Sequence, residues 1–244
     1  MIIVSIASVK HPQRLKLLVE MLKSLERQTI VPDCICVSLE GYENISAELP
    51  NFKGVSYFIH PPLVGGISSY THFDDFDNSI CISLDDDLII PDNFICEVSS
   101  RIGSTKDDIC ISYLSKIFTD IKEDTKYQDH YPIHFSDVIF CETRCHILGS
   151  GISAFRSEHI KGCFEFMQKI CVPGIYRDML VSHYLWLQGV SIIRPPSIKG
   201  FIKGADCSDN CNDKKSLQQR NEIFSILRLQ GFLDPQKFGS RKGN

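Results

Sequence analysis

The stretch Ile80–Phe94, ICISLDDDLIIPDNF, decides the reading of this chain. An apolar run leads into three consecutive aspartates, Asp85, Asp86 and Asp87, and these are followed by Leu88-Ile89-Ile90, a proline and an aromatic. A strand that ends abruptly in acidic residues sets hard oxygen ligands at the carboxyl edge of a sheet, where open α/β sheets bind their ligands. Adjacent carboxylates repel one another, so the cluster is stable only when solvated or bound to a cation. Side chains alternate along an extended segment, so Asp85 and Asp87 share one face while Asp86 points away. The first and third positions can then act on one divalent ion, which in turn can hold a diphosphate. A solvated acidic turn after a core strand is the other reading, and the stretch alone does not choose between them.

The opening of the chain narrows the choice. Ile2–Ala7 is apolar and β-rich, as suits a buried parallel strand. Pro12 stands where it can start a helix, and Leu15, Leu18, Val19, Leu22 and Leu25 recur at helical spacing. Pro32-Asp33 breaks the chain before a second apolar strand, Cys34–Leu39.

This βαβ start, followed by a strand ending in aspartates, resembles the GT-A fold nucleotide-diphospho-sugar glycosyltransferases, family 2-like, over roughly residues 1–200. The matching residues are Ser5 and Ser8 at the first strand end, Arg14 opening the helix, Ser24 and Gln28 before Pro32-Asp33, Glu40 at the second strand end, and the aspartate triplet. The resemblance implies an α/β, single-domain, Rossmann-like fold with a mixed central sheet flanked by helices. Residues 1–205 would form it, with a nucleotide-binding half (1–100) and an acceptor-binding half (101–205). A C-terminal helical extension (206–236) and a basic flexible tail (237–244) would follow. The resemblance further implies donor or nucleotide contacts from Ser5, Ala7, Arg14, Glu40, Gly65, Asp85 and Asp86, and a Mn²⁺ or Mg²⁺ ion on Asp87 and Asp85. Such ions suit carboxylate and phosphate oxygens.

Three further segments enter the same picture. In HPPLVGGISSYTHFDDFDNS (60–79), Gly65 and Gly66 permit close backbone approach or positive φ, and Ser68, Ser69 and Tyr70 can start a short helix. Donor contact and a plain surface turn are both open for this loop, and Asp74, Asp75 and Asp77 read as solvated turn residues. In CHILGSGISAFR, Gly149, Ser150 and Gly151 match the small loop that faces donor sugar and acceptor in the family. In YRDMLVSHYLWLQGVSIIRP, Asp178 lies in the first turn of a helix, where a carboxylate is also a good N-terminal charge. Gly189 supplies the stop, and Val190–Ile193 is a strand. The resemblance makes Asp178 the base that deprotonates the acceptor hydroxyl in an inverting reaction, with Arg177 beside it. Trp186 is placed either to stack on a sugar face or to pack in the core. The resemblance also implies a late histidine or basic residue that touches the phosphates; no histidine follows His183, so Lys199 and Lys203 stand as the candidates for that place.

Composition excludes several classes. With 26 Lys and Arg against 30 Asp and Glu the formal net charge is −4, which gives no reason to expect nucleic-acid binding. No apolar run reaches membrane-span length. Met1–Ala7 lacks the basic leader of a signal peptide, so a cytoplasmic protein is expected, peripheral to a membrane where its acceptor is lipid-linked. Among 11 cysteines, Cys34, Cys36, Cys81 and Cys110 fall in apolar runs and read as small core residues. Cys141/Cys145 and Cys207/Cys211 have spacings that invite a zinc test, but incidental thiols are the expected outcome. The polar stretch Thr119–Ser136 reads as a surface excursion or an acceptor-side loop. Lys214–Leu233 is helical in pattern, with Leu217, Ile223, Phe224, Ile226 and Leu227 able to pack on the core.

The partners that the resemblance implies are a nucleotide-sugar donor, UDP foremost on the family's usage, and a glycan, glycolipid or glycoprotein acceptor. A sugar nucleotidyltransferase would need a glycine-rich loop after the first strand, and SIASVKHPQR has no glycine. A catalytically silent nucleotide- or carbohydrate-binding protein on the same fold is the alternative from another class.

Overall fold

The computed structural model describes residues 1–62, 66–170, 176–204 and 214–234, with the side chains of 214–216 excepted. Gly65, the pair Cys207/Cys211 and the tail 237–244 lie outside the described residues. In chain order the main elements are β1 (Ile2–Val9), α1 (Pro12–Glu26), β2 (Cys34–Glu40), β3 (Val55–His60), β4 (Ile80–Asp85), β5 (Leu88–Ile89) and α2 (Phe94–Ser104). Then come β6 (Ile109–Ser112), β7 (Ser115–Ile117), β8 (Tyr131–Ile133), β9 (Thr143–Cys145), β10 (Ile147–Leu148), β11 (Ile152–Arg156), α3 (Ser157–Ile160) and α4 (Cys163–Ile170). The chain continues through α5 (Arg177–Leu187), β12 (Ser191–Arg194), β13 (Lys203–Gly204) and α6 (Lys214–Leu229).

Eight strands form one mixed sheet in the order β3-β2-β1-β4-β11-β6-β12-β9. β1 to β4 run parallel, and β11 enters antiparallel between β4 and β6. Alternation sorts the side chains of this sheet onto two faces. Val4, Ile6, Ile35, Val37, Ile82 and Leu84 turn to the face covered by α1 and α2, meeting Leu18, Leu22, Leu25, Ile95 and Val98. Pro12 sits in the first turn of α1, and His11 caps it, its Nδ1 accepting from the Gln13 N–H at 3.3 Å.

The opposite face carries an unusual row. Cys36, Ser5, Ser83, Ser153 and Ser112 stand beside one another across β2, β1, β4, β11 and β6. Small side chains leave room for the 3₁₀ turn Ile67–Tyr70 to lie on the sheet, with buried Tyr70 packed edge-on to Phe73 at 5.6 Å and near Phe155 at 6.3 Å. α4 and α5 complete this second core through Met167, Met179, Leu180 and Leu185. Gly189, at φ +80°, ends α5 as its sequence requires.

The edge strand β3 carries no clean alternation, with Phe58 and Ile59 both exposed, and its pattern went unread. Thr119–Ser136 is no bare loop: it contains β8 and a 3₁₀ turn whose Tyr127 is buried, and neighbouring Phe118 stacks on Phe224 of α6 at 5.2 Å. α6 does pack back, through Phe224 and Leu227, while Ile226 and Leu217 stay exposed.

Candidate functional site

β4 delivers its aspartates to two different sides. Asp85 continues the Ser5–Ser83 face, whereas Asp86 continues the face of Val4, Ile6 and Ser8. Ser8 Oγ donates to Asp86 Oδ2 at 2.6 Å and Arg14 Nη1 donates to Oδ1 at 2.5 Å. Asp86 is thereby a 2 % exposed lock between β4, β1 and α1. Burial pushes its pKa up to about 6 despite Arg14 and Ser8. Arg14 also reaches Asp87 Oδ2 at 3.2 Å. Burial first, and then the charge of Asp85, raise the Asp87 carboxyl above its ordinary range.

Asp85 meets the other half of the fold. Arg177 Nη2 donates to its Oδ1 at 2.9 Å, Arg177 Nη1 donates to the Gly66 carbonyl at 2.9 Å, and Arg177 Nε donates to Ser150 Oγ. Gly66, at φ +72°, has a left-handed backbone, and a Cβ there would lie 2.6 Å from the guanidinium. Gly151 is tighter still: its Cβ would fall 1.7 Å from Asp85 Oδ2. Gly151 therefore lets β11 close onto the acidic strand end, where the Asp85 N–H donates to the Gly151 carbonyl at 2.6 Å, whereas a Cβ on Gly149 would meet Leu114 at 2.6 Å.

Asp178 anchors the same turn. Its Oδ1 accepts from the Ser150 N–H at 3.0 Å and from Ser150 Oγ at 2.6 Å, and its Oδ2 pairs with Lys116 at 3.0 Å. Burial alone would raise its pKa, but Lys116, Arg177 and Ser150 overcome this and hold the carboxyl well below the usual range. Burial likewise opposes the charge on Lys116, and Asp178 more than restores it. A carboxylate so strongly stabilised is a weak proton acceptor, which counts against its expected role as base in this arrangement.

The remaining expected residues separate into groups. Glu40 lies buried at the end of β2, its Oε1 accepting from Ser68 Oγ at 2.5 Å, and burial raises its pKa against that bond. Ala7 lines the cleft, with its Cβ 3.6 Å from where a Cβ on Gly66 would be. Ser5 is placed elsewhere: it sits mid-strand between Cys36 and Ser83, fully buried and without a hydrogen-bond partner among the described residues. Trp186 stacks on His183 at 5.9 Å and meets Phe232 edge-on, so it holds the C-terminal segment rather than facing the cleft. Lys199 is in an exposed loop, and Lys203 pairs through its backbone with Ile89, two residues beyond Asp87. Neither lysine forms an ion pair with the acidic cluster. Cys141 is exposed and Cys145 buried, and the described residues contain no group of three or more metal-binding side chains. Lys116 was missed, and its only signal is a lysine set inside the apolar run Ile109–Phe118.

The donor set fits a hard divalent cation in one respect. Asp85 and Asp87 are neighbouring carboxylates, the charge of Asp85 adding to burial in raising the Asp87 carboxyl, and Arg14 is divided between Asp86 and Asp87. Two carboxylates suffice when substrate phosphates and water complete the shell.

No family model and no curated protein sequence matches the chain. Among solved structures, residues 1–349 of S. aureus TarS in complex with UDP-GlcNAc are similar, with a TM-score of 0.57 at 11% identity over 97% of this chain and 69% of that one. The fold is of the GT-A type. A putative glucose-1-phosphate thymidylyltransferase from Bacillus anthracis, in complex with a sucrose, gives a TM-score of 0.48 at 11% identity over 92% of this chain and 96% of that one. At 11% identity the likeness to TarS concerns the fold alone, a large mixed sheet flanked by helices, as the resemblance read from the sequence implied.

Proposed function

We propose that the chain is a glycosyltransferase that takes a sugar from a nucleotide-diphosphate donor, UDP-linked in the first instance, and passes it to a hydroxyl of a glycan, glycolipid or glycoprotein. The observation that supports this reading is the convergence of Asp85, Asp87, Arg14 and Arg177 at the carboxyl edge of β1 and β4. There the backbone at Gly66 and Gly151 leaves no room for further side chains. The fold shared with TarS, solved in complex with UDP-GlcNAc, points the same way.

A Mn²⁺ or Mg²⁺ ion held by Asp85 and Asp87 would supply a Lewis acid for the departing diphosphate. Arg14 and Arg177 orient those two carboxylates, and Asp86 fixes Arg14 from below. Ser150, held by Asp178, sets the turn against which the donor sugar would rest. Asp178 is assigned as the base of an inverting transfer. It can accept the acceptor proton only after an incoming acceptor hydroxyl displaces Lys116 from Oδ2, because the present bonds keep its proton affinity low.

That same feature favours a second reading, a protein that binds a nucleotide sugar without turning it over. The test is thermal-shift binding of UDP and GDP with and without Mn²⁺, paired with donor hydrolysis. A metal-dependent rise in Tm that disappears in Asp87→Ala, together with donor hydrolysis, supports the enzyme. Metal-dependent binding without hydrolysis or transfer selects the second reading. No shift with any nucleotide sinks both.

A further inference from the structure

Lys116 reaches the site from β7 with one carboxylate to face. Its Nζ lies 3.0 Å from Asp178 Oδ2, and the ring centre of buried Tyr127 is 5.9 Å away. The Lys116 side chain is 13% exposed and that of Asp178 30%, so a ligand can reach the pair while water screens it little. The other carboxylate oxygen, Oδ1, already accepts from the Ser150 N–H and hydroxyl. Oδ2 is therefore the oxygen left for an acceptor proton, and it is the one that Lys116 holds.

A proton on Oδ2 would neutralise the only carboxylate within ion-pair distance of Lys116 among the described residues. A nearly buried ammonium left without its counter-charge is costly. The nearby carboxylates do not step in. Asp129 accepts from the Lys126 N–H at 2.7 Å and Glu222 from Gln218 at 3.1 Å, and both are exposed. The groups gathered on the Tyr127 ring are basic instead. The Arg220 guanidinium lies 5.9 Å from the ring centre, in no ion pair among the described residues and with its Nε unpartnered. The His130 ring is 4.9 Å away, and burial first, then the charges of Lys116 and Arg220, lower its pKa. The counter-charge for Lys116 must therefore arrive with the acceptor.

We infer that the acceptor carries an anionic group, a phosphate or a carboxylate, beside its reacting hydroxyl, and that this group takes Lys116 from Asp178. The exchange frees Oδ2 as the hydroxyl arrives and keeps Lys116 paired after the proton has moved. In the transfer the hydroxyl proton passes to Asp178 Oδ2 and the hydroxyl oxygen bonds the anomeric carbon. The bond from that carbon to the diphosphate breaks, and its electron pair leaves on the diphosphate. The inference rests on the assignment of Asp178 as base, but the exchange at Lys116 is measurable without turnover.

Glucose, glucose 6-phosphate and glucuronate differ only at C6 and serve as probes in titration calorimetry, with UDP and Mn²⁺ present and absent. The wild type binds one or both anionic sugars at least about tenfold more tightly than glucose, and salt narrows the difference. Lys116→Met abolishes the preference, and Lys116→Arg keeps it. Asp178→Asn removes the competitor for Lys116 and tightens the preferred anionic sugar by about tenfold. The Lys116→Met/Asp178→Asn double variant, which strands neither charge, replaces Lys116→Met if that variant does not fold, and it too shows no preference. Equal affinity for the three sugars in the wild type, a preference that survives loss of Lys116, or anionic sugars bound no more tightly by Asp178→Asn overturns the inference. So does loss of their binding when UDP and Mn²⁺ are present, which puts the anion in the donor site. A UDP response without a sugar preference sinks this inference alone and leaves the donor proposal standing. A sugar preference without a UDP response supports the exchange at Lys116 and sinks the transfer reading.

Discussion

Gly151→Ala isolates the closest approach in the site. A Cβ at 151 would lie 1.7 Å from Asp85 Oδ2 and 2.0 Å from its Cγ. The backbone cannot retreat, because the Asp85 N–H is bonded to the Gly151 carbonyl and Ile152 is in register with Leu84. Asp85 must therefore swing away and give up the 2.9 Å pair with Arg177. Overpacking costs about 1–3 kcal/mol, and a partly exposed ion pair adds about 0–1 kcal/mol. Removing glycine freedom from the unfolded chain offsets about 0.4–1 kcal/mol. The net loss is about 1–3 kcal/mol, or a Tm lower by about 2–10 °C for a chain of this size. Because Asp85 leaves the position in which it would meet a metal-bound diphosphate, the Kd for UDP with Mn²⁺ should rise by at least about tenfold. Differential scanning calorimetry and titration calorimetry read the two effects. Gly103→Ala on α2, where a Cβ meets nothing within 4 Å, is the matched control and should stabilise slightly. If the Gly151→Ala variant melts no lower than wild type and binds UDP equally well, the close-approach reasoning is wrong.

Other substitutions follow from the same geometry. Burial lifts the Asp86 carboxyl to about 6 in the folded protein from an ordinary 3.8, so the folded state holds the extra proton between those values. Stability therefore falls as pH rises through that window, by about 3 kcal/mol if the whole shift is expressed. Urea unfolding of Asp86→Asn from pH 4 to 7 should lack that component, and parallel curves for variant and wild type would refute it. Lys116→Met strands Asp178 and should cost about 2–4 kcal/mol, below the fully buried case because the Asp178 side chain is 30% exposed. Adding Asp178→Asn should recover part of this loss, and strict additivity would deny the coupling. Ser5→Ala removes a buried hydroxyl with no partner, so stability should hold or rise by about 1 kcal/mol with UDP binding unchanged. Weakened binding would restore Ser5 to the donor site.

What the sequence revealed follows from how local each signal is. The strand-end aspartates, Pro12 and Gly189 act through adjacent backbone, so β4, α1 and the end of α5 were legible where they stand. Only half of the triplet's split was legible: Asp86 does turn from Asp85, toward Ser8 and Arg14, but β4 ends at Asp85 and the chain turns through Asp86 and Asp87, so strand alternation does not carry on and Asp87 shares Arg14 with Asp86. Partners that fold back across the sheet were not. Lys116 and Asp178 are 62 positions apart, and nothing in either neighbourhood announces the pair. Ser5 was misplaced because a serine near a strand end resembles a ligand contact, whereas its row of small neighbours exists only once five strands are side by side. Trp186 was open between two roles that differ only in what lies across from it, and Phe232 settles that locally.

The balance of charge in the cleft bears on how a donor would be held. Among the described residues Arg177 pairs with Asp85, Lys116 with Asp178, and Arg14 with both Asp86 and Asp87, so four carboxylates face three cations. Buried Glu40 adds to the acidic side. A site that gripped a diphosphate by side chains alone would be expected to carry an excess of positive charge, since the ligand brings more negative charge into a partly dry cleft. Here the excess has the opposite sign and falls beside Asp87, whose carboxyl is raised by burial first and then by the charge of Asp85. A divalent ion on Asp85 and Asp87 would remove their repulsion and would offer the diphosphate a positive contact in one step. UDP binding should accordingly be at least about tenfold weaker after exhaustive chelation, and return with Mn²⁺ or Mg²⁺. In Asp87→Asn, which lowers the negative count without supplying a ligand of equal strength, metal-free binding should improve while the metal response shrinks. If chelation leaves the affinity for UDP unchanged, Arg14 and Arg177 must instead leave their carboxylates to meet the phosphates, and the charge argument fails.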